Sequence, residues 1–252
     1  CPWFGPDRCG GCSWLHTTPE EQLLLKSQIL SETLQRIGGV AEQVPVVSLG
    51  LEAGWRTRMT LHADGEGRLG FHGARSDRIV AVGDCLQAAA ELETAALLAR
   101  QWPPGADVHV SVSDAGRAVI VRHADGSREA DGPQEHVHDV HGRLFTCAVD
   151  GFWQSHRLAP EVLVEEVRSL ADPAATVVDL YAGVGLLGLS LLDEEVQRLV
   201  LVEGDRRAAA HARRNAAGDE RVQVIARDVR QWRAMPADLV FSIRHEQVRG
   251  VT

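Results

Sequence analysis

Residues 177–192 read VVDLYAGVGLLGLSLL. An apolar run ends in Asp179, glycines follow at 183 and 185, and an apolar helical pattern takes over. Strand, glycine turn and helix form the opening unit of a parallel sheet whose ligands lie at the carboxyl edge of the strands. Outward from it, a helical pattern over 159–170 comes before. Strand RLVLVEG (198–204), a helix over 206–217, strand VQVIARD (222–228), a helix fragment and strand ADLVFSI (237–243) come after. Apolar strands alternating with helices predict a doubly wound α/β unit of Rossmann type, partial in this sequence, beginning near residue 151.

The same stretch predicts a nucleotide-like ligand. Gly183 and Gly185 let a ligand lie against the backbone. Glu203 closes the second strand, where a carboxylate accepts hydrogen bonds from ribose hydroxyls, and Asp228 closes the third, within reach of an adenine amino group. Gly183, Gly185 and Gly188 also satisfy the G-x-G-x-x-G spacing of a dinucleotide site. The preceding D-L-Y-A and the series Asp179, Glu203, Asp228 suit S-adenosylmethionine better.

The first 150 residues read differently, as α+β. A helical pattern runs from Pro19 to about Ile37, with Leu23, Leu24, Ile29, Leu30 and Leu34 as its apolar positions and Gly38-Gly39 as its stop. Short strands are expected from Val44 to about Val82, with a hairpin at Asp64-Gly65. A helix is expected from Leu86 to Arg100, followed by strands DVHVSVS, AVIVRH and RLFTCAV.

Ahead of all this stands CPWFGPDRCGGC. Cys1, Cys9 and Cys12 share one loop, and Cys85 follows far downstream in VGDC. Three clustered thiols and one distant thiol suit a soft metal centre, either zinc or an iron–sulfur cluster. Five cysteines leave one unpaired, which disfavours a disulfide framework. The fifth, Cys147, sits in an apolar strand with no basic neighbour to ionise it, and is expected to be structural. His136, His138 and His141 are expected to be exposed polar residues.

Composition narrows the class. The 252 residues are 44% hydrophobic and 24% charged, the profile of a soluble globular protein. No apolar run is long enough to span a bilayer, and no signal-peptide pattern is present, so a cytoplasmic protein with no membrane partner is expected. A formal net charge of -9 excludes a generally basic nucleic-acid binder and confines any such contact to a local patch.

With both motifs in place, the chain resembles the bacterial RNA (uracil-5-)-methyltransferases. The resemblance rests on CPWFGPDRCGGC, GWRTRMTLH, LGFHGARSDRIVAVGDC, GFWQSH, VVDLYAGVGLLG, VLVEGD and HARRNA, in the family's order, and reaches from Cys1 to about Val240. It implies a class I methyltransferase domain over 151–252 and an iron–sulfur and RNA-binding domain over 1–150. It implies that Cys1, Cys9, Cys12 and Cys85 hold a [4Fe–4S] cluster rather than zinc. Gln154 matches a glutamine that contacts the methionine part of S-adenosylmethionine, Tyr181 and Glu203 match further cofactor contacts, and Arg56 and Arg58 fall in the RNA-facing segment. The substrate implied is ribosomal or transfer RNA, and the protein is expected to be a monomer.

Two departures accompany the matches. The family's nucleophilic cysteine and its general base follow an Asp-Pro-Pro-Arg motif after the fourth strand, where this sequence has Ile243 and no later cysteine. The family's amino-terminal barrel is not in this sequence either. The expectation is of a catalytic domain truncated at both ends, with no catalytic residue, binding cofactor weakly and transferring no methyl group. The alternative is a non-catalytic, cluster-stabilised module that binds RNA or cofactor.

Overall fold

The computed structural model of the chain describes residues 1–192 and 195–242. Helix α1 (Pro19–Thr33) starts with proline in its first turn, and the Thr18 hydroxyl accepts the Glu21 N–H at 3.3 Å. Both are ordinary helix-start devices. A π-type turn, Leu34–Gly38, closes the helix on Gly39. Leu24, Ile29, Leu30 and Ile37 stay exposed, Ile37 at 76%. Of the apolar positions read in the sequence, only Leu23 and Leu34 are half-buried; none is fully buried.

Strands β1 (Arg58–Ala63), β2 (Leu69–His72) and β3 (Ile79–Ala81) follow. The Asp64-Gly65 hairpin forms as expected, with His62 opposite Gly70 and Ala63 opposite Leu69. Residues 44–57 hold no named strand, contrary to the expectation of strands from Val44. The expected helix from Leu86 to Arg100 is reduced to a 3-10 turn, Ala90–Leu92, and the five-residue α2 (Thr94–Leu98). Between them Glu93 adopts φ 52°, a left-handed conformation that no α-helix can carry through.

β4 (Asp107–Ser113), β5 (Gly116–Arg122) and β6 (Arg128–Asp131) complete an antiparallel sheet of order β3-β2-β1-β4-β5-β6. Alternation assigns its two faces. Met59, Leu61, Val108 and Val110 pack with Leu92 and Leu97 into a core, while Arg58, Thr60 and His62 point to the other side.

The hairpin β7 (Glu135–Val140) and β8 (Arg143–Ala148) leads into the second half. There α3 (Ala159–Leu170), β9 (Thr176–Leu180), α4 (Leu186–Ser190), β10 (Arg198–Glu203), α5 (Arg206–Asn215), β11 (Val222–Ala226) and β12 (Leu239–Ser242) match the expected alternation closely. The strands are parallel, in the order β11-β10-β9-β12. The chain leaves β9 for one side and returns to its other side at β12, the arrangement that opens a ligand crevice at the carboxyl ends. The β7–β8 hairpin supplies Val140, Phe145 and Cys147 to the core of this parallel sheet, so a division near residue 150 cuts through shared packing.

Candidate functional site

Three strand ends meet at one cavity of about 520 Å³, lined by Tyr181, Gly183, Glu203 and Asp228 together with Asp150 and Phe152. A smaller cleft beside it is lined by Gln154, Asp179, Tyr181, Gly183 and Leu187. Tyr181 and Gly183 belong to both. Six of the seven expected cofactor residues therefore line one or other of two neighbouring cavities at the edge of the sheet.

The geometry follows from the turn. Tyr181 and Gly183 take φ 61° and 58°, bringing the backbone over the end of β9. A left-handed tyrosine at such a place is local strain of the kind found at ligand sites. The Glu203 carboxylate accepts the Gly183 N–H at 2.8 Å and the Asp205 N–H at 2.6 Å, so its direction is set before any ligand arrives. Asp228 accepts from the backbone and guanidinium of Arg230. Asp179 is buried and accepts the Gly188 N–H at 3.0 Å. Burial pushes its carboxyl up to about 8, the Gly188 N–H opposing and the charge of Glu203 adding to the rise.

Gly185, the seventh expected contact, lines neither space. It sits at φ 89° as the residue that starts α4, and a Cβ there would lie 2.8 Å from the Leu189 side chain. Its glycine identity serves the turn and the close approach of α4 to β10.

Arg58 is also corrected. Its guanidinium turns inward, donating to the Gly151 carbonyl at 2.6 Å and more weakly to the Val149 carbonyl, with His109 Nε2 at 3.4 Å. Burial lowers its pKa, Cys147 and Asp150 opposing. It is thus a strut rather than a solvent-facing contact. The Thr57 N–H donates to the Ser155 carbonyl and the Arg157 N–H to the Trp55 carbonyl. WRTR and GFWQSHR, far apart in sequence, are therefore bound to each other, and Gln154 is positioned by that union. Arg56 instead lays its guanidinium 4.9 Å from the centre of the Trp55 ring.

The histidines overturn expectation as well. His136 is buried, with its two ring nitrogens against Ser111 and Ser113 at 2.7 and 2.8 Å. His138 stacks on Trp153 at 4.2 Å between ring centres. Burial, then the nearby positive charge of Arg58, lowers His136 to about 4. Burial lowers His138 to about 3, helped by His136 and Arg58. Only His141 stays exposed, beside Glu165. The β7–β8 hairpin packs two of the three rings inside the junction of the two sheets, a placement alternation cannot foretell.

The motif HARRNA also supplies a positioning residue that its local pattern does not reveal. Asn215 is buried on α5, and its Oδ1 accepts the Thr146 N–H at 2.9 Å and the Thr146 hydroxyl at 2.8 Å. Its Nδ2 donates to the Thr146 carbonyl at 3.0 Å and to the Val184 carbonyl at 2.9 Å. The side chain joins helix, hairpin and glycine turn. A buried asparagine satisfied on both ends marks a specific packing geometry. Cys147 lies at the floor of the large cavity, fully buried, and burial pushes its thiol up to about 11. That fits the structural role expected of it.

The amino-terminal loop is hooked onto the end of β2. Cys9 bridges Gly73, and the Gly10 N–H donates to the His72 carbonyl at 2.9 Å. A Cβ on Gly10 would meet the Gly73 backbone at 2.8 Å, so this approach requires glycine. All five cysteines are free thiols. Burial raises the Cys9 and Cys12 thiols, each raised further by Cys85, so these sulfurs share one neighbourhood. Arg56 acts on Cys12 in the opposite sense. Among the described residues no three His, Cys, Asp or Glu side chains are arranged to hold a single metal ion. The chemistry of the donor set, four soft sulfurs drawn from one loop and the end of β3, fits an iron–sulfur cluster.

Comparison with known proteins agrees with this geometry. Residues 155–242 match the family described as Methyltransferase small domain. A protein of Streptomyces coelicolor named as an uncharacterized RNA methyltransferase is 32% identical, over 89% of this chain and 58% of its own length. A 23S rRNA (uracil(1939)-C(5))-methyltransferase of Pseudomonas fluorescens is 29% identical, over 84% of this chain and 56% of its own. The chain thus spans a little over half the length of these curated relatives. The crystal structure of a Pyrococcus abyssi tRNA (uracil-54, C5)-methyltransferase with S-adenosyl-L-homocysteine superimposes with a TM-score of 0.71 at 18% identity, covering 92% of this chain and 69% of that one. The chain is similar over most of its length to proteins named as RNA methyltransferases, among them uracil-C5 enzymes, and shares the mixed α/β fold of the Pyrococcus abyssi methyltransferase.

Proposed function

We propose that this chain is the cofactor-binding and cluster-binding portion of an S-adenosylmethionine-dependent uracil-C5 RNA methyltransferase. The observation that carries the reading is the gathering of Gln154, Tyr181, Gly183, Glu203 and Asp228 around two neighbouring cavities at the carboxyl edge of a parallel sheet. Glu203 would take the ribose hydroxyls, its two oxygens already aimed by the Gly183 and Asp205 amides. Asp228 would take the adenine amino group, and Gln154 the methionine end. Bound there, S-adenosylmethionine supplies an electrophilic methyl group. The names of the relatives support RNA and uracil C5 as the acceptor.

Cys1, Cys9, Cys12 and Cys85 would hold a [4Fe–4S] cluster, whose bonds would tie the amino-terminal loop to the sheet. Cys147, the one thiol outside that set, is unsuited to attack on uracil: nucleophilic cysteines need a lowered pKa, and burial raises this one. Position 243, where the family's aspartate would fall, lies outside the described residues. Arg56 remains the better of the two proposed RNA contacts, because the Arg58 guanidinium is engaged internally.

Calorimetry tests the cofactor. S-adenosylhomocysteine should bind one to one and NAD should not; the reverse would establish a dinucleotide site on the same glycines. Iron analysis tests the cluster. Chain purified anaerobically should be brown with about four irons, and a colourless protein with one zinc would remove the cluster from the proposal.

A further inference from the structure

Three guanidinium groups converge on a single carboxylate at the rim of the large cavity. Arg207 donates to Asp150 Oδ1 at 2.7 Å and Arg122 to Oδ2 at 3.0 Å, while Arg128 stands 3.9 Å from Oδ2. The Asp150 side chain is only 10% exposed, whereas Arg122 and Arg128 are 52% and 36% exposed. Burial works to raise the Asp150 carboxyl, yet the three arginines hold it below the usual range. The next carboxylate in reach of Arg207, Asp205, caps α5 through the Arg207 and Ala208 amides.

Sheet register makes this cluster a built feature. Arg122 of β5 stands directly opposite Arg128 of β6, and on its other side opposite Asp107 of β4. Asp107 in turn is engaged by His62 Nδ1 at 2.7 Å. Like charges directly opposite on neighbouring strands are destabilising. Asp150 is the one carboxylate that all three guanidiniums share, with Asp205 adding its charge beside Arg207, and each guanidinium carries five donors, more than these carboxylates accept. The surplus faces solvent on a chain whose formal net charge is -9. S-adenosylmethionine contains no phosphate, so the cofactor does not call for it. Asp150 and Arg207 line the large cavity together with Glu203 and Asp228, which places the cluster at the rim of the proposed cofactor site.

Resting on the methyltransferase reading, we propose that Arg122, Arg128 and Arg207 form a phosphodiester clamp for the RNA substrate, with Asp150 as the positioning residue that holds the three guanidiniums together. Arginine suits this role through its planar fork of donors, and phosphate contacts fix the register of a strand while leaving sequence reading to other groups.

The test uses the paired variant Arg122→Ala/Arg128→Ala, which leaves Arg207 and the cavity lining intact. Affinity for a fluorescein-labelled single-stranded RNA is measured by anisotropy between 50 and 200 mM KCl, with S-adenosylhomocysteine calorimetry alongside. Two lost phosphate contacts should lower the slope of log K against log salt by about 1.4, at ~0.7 per contact on a single strand. Affinity at the low-salt end should fall about tenfold or more, with cofactor affinity unchanged. Arg122→Lys/Arg128→Lys should restore the slope. An unchanged slope in the alanine pair, with cofactor still bound, would overturn the clamp and leave the methyltransferase reading standing. Parent chain that holds S-adenosylhomocysteine but no RNA would overturn the clamp together with the RNA half of that reading. Loss of cofactor binding in the alanine pair would reassign the cluster to the cofactor and also overturn it.

Discussion

Replacing Asn215 by alanine should be strongly destabilising although the residue lines neither cavity of the candidate site. The side chain makes four hydrogen bonds, three to Thr146 and one to the Val184 carbonyl. At a net ~1 kcal/mol per bond the loss is about 4 kcal/mol, and buried partners left unsatisfied hold it at that level. For a chain of this size the apparent Tm should drop by about 8–16 °C. Val184 lies between Gly183 and Gly185, so releasing its carbonyl also loosens the cofactor turn. One bond of ~1 kcal/mol there should weaken S-adenosylhomocysteine about fivefold. Asn215→Asp keeps the acceptor toward the Thr146 N–H but sets a carboxylate oxygen against two carbonyls, so it should be no milder. Thermal unfolding by circular dichroism and calorimetry on the same preparations give both numbers. A loss below about 1 kcal/mol in the alanine variant, with full cofactor affinity, would refute the idea that this side chain joins α5, the hairpin and the glycine turn.

Three further outcomes are expected. Glu203→Gln should weaken S-adenosylhomocysteine about tenfold or more, a hydrogen bond to a charged group being worth ~1.5–3 kcal/mol; calorimetry showing equal affinity would remove Glu203 from the site. Asp179 is raised to about 8 in the fold from an ordinary 3.8. Its contribution is therefore fully present below about pH 4 and is lost as pH climbs to about 8, at up to ~1.4 kcal/mol per pH unit. The stability of the parent relative to Asp179→Asn, followed by urea unfolding, should fall between pH 5 and 7; a flat difference would mean an ionised, solvated carboxylate. Cys147 should resist iodoacetamide at pH 8 in the folded chain and react in urea, because its thiol is buried and raised to about 11; rapid labelling of the folded chain would place it in solvent.

Much of the carboxyl-terminal half was legible because each signal there is local. Glycines after an apolar strand, and carboxylates at successive strand ends, specify both the turn and the ligand edge. The amino-terminal half was harder for identifiable reasons. Leu86–Arg100 has helix-forming composition, but Glu93 is held in a left-handed conformation between a 3-10 turn and α2. In β1, alternation correctly separates Met59 and Leu61 from Arg58 and Thr60, yet it cannot say that residues 149–151 cover Arg58. The same blindness hid His136, whose partners Ser111 and Ser113 come from a strand more than twenty residues away. Burial by a third element is a tertiary fact, and polar residues so buried are read from sequence as surface.

The junction between the two sheets has a chemical character of its own. Around the permanently charged Arg58 stand His109, His136 and His138, with burial as the leading cause of each lowered pKa: about 4, 4 and 3. With these values the three rings stay neutral at neutral pH, so the joint that carries Gln154 keeps one charge state there. Below the ordinary histidine value of 6.5 the balance turns, because an unfolded chain would gladly protonate all three rings and the folded one refuses. Stability must then decline with falling pH, and near pH 4 the rings begin to charge beside a fixed guanidinium. The junction between the two sheets thus carries a built-in acid limit, set by three buried rings packed near one guanidinium.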